Sequence, residues 1–240
     1  MEYKWNRKDF IFILKEIVLK IQFTKEEQER IREQYHFEER DKKQFFQMVE
    51  LFESLVRAKA WYRVGRAGEI ESISYSNYVL VLVTLSEYVD RLIALESEAG
   101  NLSDAYMLDC IGLEFLNAAY QQVADSIYRE TGFWQGSYQF LGDQLPLDWL
   151  PFLLDQFSGV PVQLNSYGIM VPSKSVLYLA ELVKQREKSN CCICLECQNQ
   201  ICVYRKENKI EHTEVALLKE KEKTQLNYGY QRIFGKLYKK

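Results

Sequence analysis

The chain has 240 residues, a net charge of −3, 47% hydrophobic residues and 14% aromatic residues. This length and apolar content suffice for one large domain or two small ones with a packed core, and the slightly acidic balance excludes an overall basic field for nucleic-acid binding. The longest apolar run, Tyr78 to Leu85, is too short to span a bilayer, and the charged N-terminus lacks the apolar core of a signal peptide. We therefore expect a cytoplasmic protein without nucleic-acid or membrane partners.

The first 62 residues are predicted to form a helical region. Apolar residues recur at helical spacing over residues 8–22, which predicts a first helix. Thr24 and Glu27 then show the pattern of a capping box, in which a hydroxyl and a carboxylate each accept a bond from the other residue's backbone amide, at the start of a second, charged helix. Residues 45–61 resume an apolar helix face.

The middle of the chain predicts a strand followed by two helices. Residues 63–76 are polar and contain two glycines, so they predict a loop or a short hairpin, whereas the β-branched run Tyr78–Thr84 predicts a buried strand. A helical pattern follows from Leu85. Ser103 is expected to cap a long helix over residues 104–130.

The last third of the chain changes character, because all four prolines lie between residues 146 and 172. The pattern predicts strands over residues 132–140, 167–171 and 175–183 and a short helix over residues 147–157. Helices followed by strands favour an α+β fold rather than alternating βαβ units. The expected division is a helical region over residues 1–62, an α+β core with a cysteine cluster over residues 63–205, and a charged tail over residues 206–240.

Groups that could act in catalysis are scarce. The two histidines, His36 and His212, lie in polar surroundings that are typical of surface residues, which argues against Ser-His or Cys-His nucleophilic catalysis. The sequence contains neither a Gly-x-Gly-x-x-Gly fingerprint nor a phosphate-binding Gly-Lys-Ser loop. We therefore see no independent catalytic constellation.

Five of the six cysteines lie within twelve residues. Because Cys191, Cys194 and Cys197 follow each other at intervals of three, with Cys202 five residues later, interlocked Cys-x-x-Cys units could chelate a metal. In a reducing cytosol such a cluster is more typical of metal binding or redox chemistry than of structural disulfides. Two interpretations stay open: these four cysteines hold an iron–sulfur cluster or zinc, or they are ordinary thiols in a short hairpin. The remaining Cys110 is expected to be a core residue.

Three blocks of the chain form an ordered set of motifs. They are Val83–Asp90 with Gly100–Asp109; Gly142-Asp143-x-x-Pro146-Leu147; and Ile169–Val176, followed by Cys194, Cys197, Cys202 and Arg205. In this order the blocks resemble the activation domain of vitamin B12-dependent methionine synthase, in its stand-alone form. They cover about half of the chain, and the third block, with its Met-x-Pro-x-Lys-Ser-Val pattern, is the most specific.

The resemblance implies an α+β fold with a curved antiparallel sheet that binds S-adenosylmethionine and sits over cobalamin. In that family the domain lets an oxidised, inactive cob(II)alamin be reduced and methylated back into the cycle. It thus implies an accessory protein of methionine biosynthesis whose partner, a corrinoid-dependent methionine synthase, carries the cobalamin. The residues that it places at the ligand and corrinoid face are Tyr138, Gly142, Asp143, Pro172, Ser173, Lys174 and Ser175.

The chain also departs from the family pattern. The family's arginine is expected near Gly136 and its Pro-Gly-Tyr near residues 139–141, and neither is present. The acidic residue expected in the long helix aligns with Asn117. An alternative function is therefore a non-catalytic metal-binding or protein-interaction module that has lost the S-adenosylmethionine site, and a third is an electron carrier.

Overall fold

The computed structural model describes residues 14–70 and 73–185, all of which belong to a compact unit that spans Met1–Glu196. The α-helices in these residues are α1 (Lys25–Gln34), α2 (Lys42–Leu55), α3 (Glu87–Glu98), α4 (Leu102–Thr131) and α5 (Leu150–Asp155). The strands are β1 (Lys15–Val18), β2 (Lys59–Arg66), β3 (Asn77–Thr84), β4 (Trp134–Phe140), β5 (Gln163–Leu164), β6 (Met170–Val171) and β7 (Ser175–Val183). Two short 3₁₀ turns, Glu39–Asp41 and Leu147–Trp149, precede α2 and α5.

Five strands form one antiparallel sheet in the order β1-β2-β3-β7-β4, and β5 and β6 form a separate two-stranded ribbon. The predicted α+β class is confirmed. β3 occupies the centre of the sheet, where its residues from Tyr78 to Thr84 are all buried. This burial on both faces explains why its sequence is a continuous apolar run rather than an alternating one.

Helices and loops cover both faces of the sheet. On one face, Leu80 and Leu82 of β3 and Leu177 of β7 pack in a cluster with the segment around α5, which contributes Leu153 and Phe157. On the other face lies α4, where the ring of Tyr120 meets that of Tyr178 on β7 edge-to-face at 5.7 Å. α2 packs on the outside of α4, and the rings of Phe52 and Phe115 are 5.2 Å apart. The core therefore has two layers, one on each side of the sheet.

The predicted first helix over residues 8–22 is wrong in its described part. Residues Lys15–Val18 form β1, which pairs antiparallel with β2 so that Ile17 lies opposite Ala60. Three of the four β1 side chains are exposed, so this is an edge strand with a weak pattern of its own. Its backbone donors and acceptors gain partners on β2, and this tertiary pairing outweighs the local helical spacing.

The helix boundaries were predicted with mixed success. The capping box is confirmed, because the Glu27 amide donates to Thr24 Oγ1 at 3.2 Å and the Thr24 amide donates to Glu27 Oε2 at 2.8 Å. α4 begins two residues earlier than expected, with Asn101 rather than Ser103 at its N-cap. The apolar pattern that predicted a helix to residue 61 continues past the end of α2 into β2.

The predicted division into three regions stays a prediction, although its first boundary, between residues 62 and 63, lies inside β2. The loop or short hairpin expected over residues 63–76 begins later than predicted: β2 runs to Arg66 and pairs antiparallel with β3, which begins at Asn77. None of the helices formed by residues 14–70 and 73–185 is both long enough and apolar enough to cross a membrane.

The position of β3 gives a test of the core. Leu82 is fully buried in β3, so Leu82→Ala should lower the free energy of unfolding by about 2–5 kcal/mol through lost apolar contacts and a residual cavity. Leu95 on α3 is 62% exposed, and the matched change Leu95→Ala should cost less than about 0.5 kcal/mol. Urea unfolding followed by circular dichroism measures both, and equal losses would contradict this packing.

Candidate functional site

The turn Pro172-Ser173-Lys174 joins the β5–β6 ribbon to β7 at one end of the large sheet. Its C-terminal side is tied to the end of β3, because the Leu85 amide donates to the Lys174 carbonyl at 3.0 Å. The hydroxyl groups of Thr84 and Ser175 lie 2.7 Å apart in a buried hydrogen bond. The turn therefore continues the pairing of β3 with β7, and its backbone is fixed by the sheet.

A carboxylate on α3 holds the middle of this turn. The Ser173 amide donates to Asp90 Oδ2 at 2.9 Å, and the Ser173 hydroxyl donates to Asp90 Oδ1. Asp90 lies in the first turn of α3, so its negative charge also lies near the positive end of the helix dipole. Two residues that are 83 positions apart in the chain, one from the first motif block and one from the third, are thus in direct contact.

A second ion pair holds the Lys174 side chain against α4. Its Nζ donates to Asp109 Oδ1 at 2.7 Å, and the two side chains are 11% and 36% exposed. The methylenes of Lys174 lie over Gly112, where an added Cβ would come within 3.2 Å of Lys174 Cε. The Lys174 side chain is therefore held inward against Gly112, and a side chain at residue 112 would require the lysine to shift.

The Gly142-Asp143 turn lies at the same end of the sheet. Phe140 at the end of β4 pairs with Tyr178 on β7, so the residues that follow β4 run toward the start of β7. Gly142 has a φ of 81°, which an L side chain rarely adopts, and its amide donates to the Leu145 carbonyl at 2.8 Å. Asp143, beside it, is exposed. The topology thus brings the second and third motif blocks to one end of the fold.

Tyr138 differs from the other predicted ligand residues, because its side chain belongs to the core. It is 6% exposed, and its hydroxyl donates to Gln135 Oε1 at 3.0 Å. Its ring stacks with that of Phe140 and lies 5.5 Å from that of Tyr178, whose pKa is raised well above its usual value by complete burial. The ligand roles of all seven residues stay predictions.

Gly136 and Asn117 are the positions at which the resemblance leads us to expect the family's arginine and acidic residue. An added Cβ at Gly136 would come within 3.0 Å of Val183 Cγ1, so a larger side chain there requires Val183 to move. Asn117 donates through Nδ2 to Glu114 Oε1 at 3.2 Å. Glu114 is 3% exposed and also accepts a bond from the Tyr35 hydroxyl at 3.0 Å. Nothing in the sequence marked Glu114 as a buried carboxylate apart from its position beside the apolar face of α4.

The cysteine positions 191, 194, 197 and 202 of the predicted metal site lie outside the described residues. Within residues 14–70 and 73–185, no group of three or more His, Cys, Asp or Glu residues could hold a metal ion. Cys110 lies on α4 and is fully buried, as predicted for a core residue, and burial raises the pKa of its thiol to about 12. It is therefore an unreactive thiol at neutral pH.

No protein-family model matches the sequence, and no curated protein matches it either. Among solved structures, the chain is similar to a crystal structure of the MetH reactivation domain bound to AdoHcy, at 11% sequence identity and a TM-score of 0.49. The match covers 73% of this chain and 80% of that chain. This likeness concerns the fold alone and carries nothing about family membership or ligands.

The Lys174–Asp109 pair can be tested by a double-mutant cycle. Because Asp109→Asn leaves a mostly buried ammonium without its carboxylate, it should destabilise the fold by about 1–3 kcal/mol, and Lys174→Met should recover part of that loss in the double variant. The exposed pair Glu87–Arg91 provides the control, with an expected coupling below about 0.5 kcal/mol. Urea unfolding of each variant gives the couplings, and similar values for both pairs would show that Lys174 is not held as described.

Proposed function

We propose that this chain is an accessory protein that binds S-adenosylmethionine and supports the reductive reactivation of a corrinoid-dependent methionine synthase. The observation that carries the proposal is the pair of contacts Ser173–Asp90 and Lys174–Asp109. All four residues belong to the motif blocks that resemble the activation-domain family. Contacts between blocks that lie so far apart in sequence are expected if the blocks together build one functional face.

The geometry supports a binding role for this end of the sheet. The turn at residues 172–175 is held by a carboxylate on α3, a carboxylate on α4 and the end of β3, so it presents a fixed surface to a partner. Such preorganisation reduces the entropy that is lost on association. S-adenosylmethionine would supply the methyl group, and the cobalt of the partner and an external reductant would carry out the rest of the chemistry. This chain's own part would be to bind and orient.

The alternative function, a module that kept the fold and lost the ligand, is favoured by one observation. The place of the family's arginine is taken by Gly136, which lies so close to Val183 that no long side chain fits without rearrangement. A guanidinium normally grips a carboxylate through two parallel bonds, and that grip is missing on β4. Loss of ligand binding with retention of a metal would support this second function.

Calorimetric titration with S-adenosylmethionine tests the proposed function. We expect saturable binding in the micromolar range, which corresponds to about 8 kcal/mol of binding free energy. S-adenosylhomocysteine, which lacks the transferable methyl group, is the comparison ligand. A folded, anaerobically purified protein that produces no heat with either compound would overturn the proposal in favour of the alternative.

The predicted metal site has its own test. Anaerobically purified protein should contain zinc or iron, measured by mass spectrometry, and the combined changes Cys191→Ser, Cys194→Ser, Cys197→Ser and Cys202→Ser should remove it, because thiolates are the expected ligands. Cys110→Ala is the matched control, since this thiol is buried in α4, and it should keep the metal. Protein without metal would leave the second interpretation, ordinary thiols.

A further inference from the structure

A groove of about 540 Å³ opens beside the Pro172 turn. Its walls come from the residues that lead into β2, from the first residues of α3, and from the ribbon of β5 and β6 with the segment before it. Three valines and two prolines, Pro161 and Pro172, make one side apolar. The volume falls within the range of about 300–1,000 Å³ that small-molecule sites usually have, and a mostly apolar lining with few polar groups is typical of them.

The charged residues of the groove are not equivalent. Lys59 Nζ donates to Glu16 Oε1 at 2.7 Å, and this bond lowers the pKa of Glu16. Glu87 pairs with Arg91 at 3.0 Å. Both of these lining charges therefore already have a partner of opposite sign.

Arg57 differs from the other charged residues of the groove. Among residues 14–70 and 73–185, no carboxylate pairs with it. Its Nη1 instead donates to the carbonyl oxygens of Ser54 at 2.8 Å and Val56 at 3.2 Å, at the C-terminal end of α2. These two bonds hold Nη1 of this exposed side chain at the end of α2 and leave Nε and Nη2 for a ligand. An anchored, unpaired guanidinium at the mouth of an apolar groove is suited to a small molecule that carries a carboxylate.

We propose that Arg57 binds the carboxylate of S-adenosylmethionine in this groove; the inference rests on the function proposed above. The prolines of the groove would offer apolar contact to the adenosyl group, whereas Glu87 is already paired with Arg91, whose guanidinium also lies over the Tyr88 ring. β2 is three strand spacings from β4, roughly 14 Å, and Gly136 lies beside Val183, at the opposite end of β7 from Ser175. The groove therefore offers a carboxylate-binding guanidinium at a position different from that of Gly136.

The test compares two ligands and four proteins by calorimetry. S-adenosylmethionine and its decarboxylated form differ only by the carboxylate, so the unaltered chain should bind the first about 10- to 100-fold more tightly. Arg57→Ala should abolish this preference and leave the affinity for the decarboxylated form unchanged. Arg57→Gln, which keeps an amide donor for the Ser54 and Val56 carbonyls, should do the same, and Arg40→Ala, an equal loss of charge at a side chain outside the groove, should change nothing.

The outcomes separate the inference from the function on which it rests. If the Arg57 variants, shown by circular dichroism to be folded, keep the full preference for the carboxylate, the groove is not the carboxylate site, although the proposed function stands. If the unaltered chain binds neither compound, the proposed function fails and the inference fails with it. Loss of the preference in both Arg57 variants but not in Arg40→Ala is the supporting result.

Discussion

The pairing of β3 with β7 is the constraint on which the site depends. Seven residue pairs join the two strands, from Tyr78 opposite Glu181 to Thr84 opposite Ser175. β3 runs into α3, and β7 begins directly after the Pro172 turn, so this register places the start of α3 beside the turn. A shift by one residue would move every side chain of β7 to the opposite face of the sheet. The contact between Asp90 and Ser173 is therefore set by the register of the core strands.

The turn at residues 172–175 is held by contacts from three different elements of the fold. α3 supplies Asp90, α4 supplies Asp109 and the end of β3 supplies the Leu85 amide. Short polar turns between strands are usually among the more mobile parts of a protein. Here the polar groups of the turn are already bonded within the fold, which suits a surface that must keep its shape when a partner docks.

The sequence was most informative where a local pattern agrees with the tertiary environment. The Thr24 capping box, the apolar run of β3 and the long helix α4 could all be predicted, because each is stabilised by its own residues as well as by packing. β1 could not, because it is an exposed edge strand that pairs with residues 41 to 47 positions later. Local periodicity carries no information about such a partner.

The candidate site, too, could be predicted from the sequence only in part. The motif blocks pointed to Ser173 and Lys174, but the bonds of these two residues to Asp90 and Asp109 follow from strand order, which no short pattern encodes. Arg57 was missed altogether, since its sequence context is simply the end of a helix. It matters only because the ribbon of β5 and β6 folds back toward the start of β2 and encloses a groove beside it.

Gly136 and Arg57 lie in two different environments for a carboxylate-binding guanidinium. On β4, an added Cβ at Gly136 would come within 3.0 Å of Val183 Cγ1, so a longer side chain there requires the Val183 side chain to move. The end of α2 carries no such restriction, because its last carbonyl groups have no helical partners and can anchor an arginine. A guanidinium at the end of α2 leaves the strand pairing of the sheet unchanged, and it lies at the end of the sheet where the motif blocks meet. If Arg57 binds the carboxylate as proposed, the proposed function does not require the family's arginine.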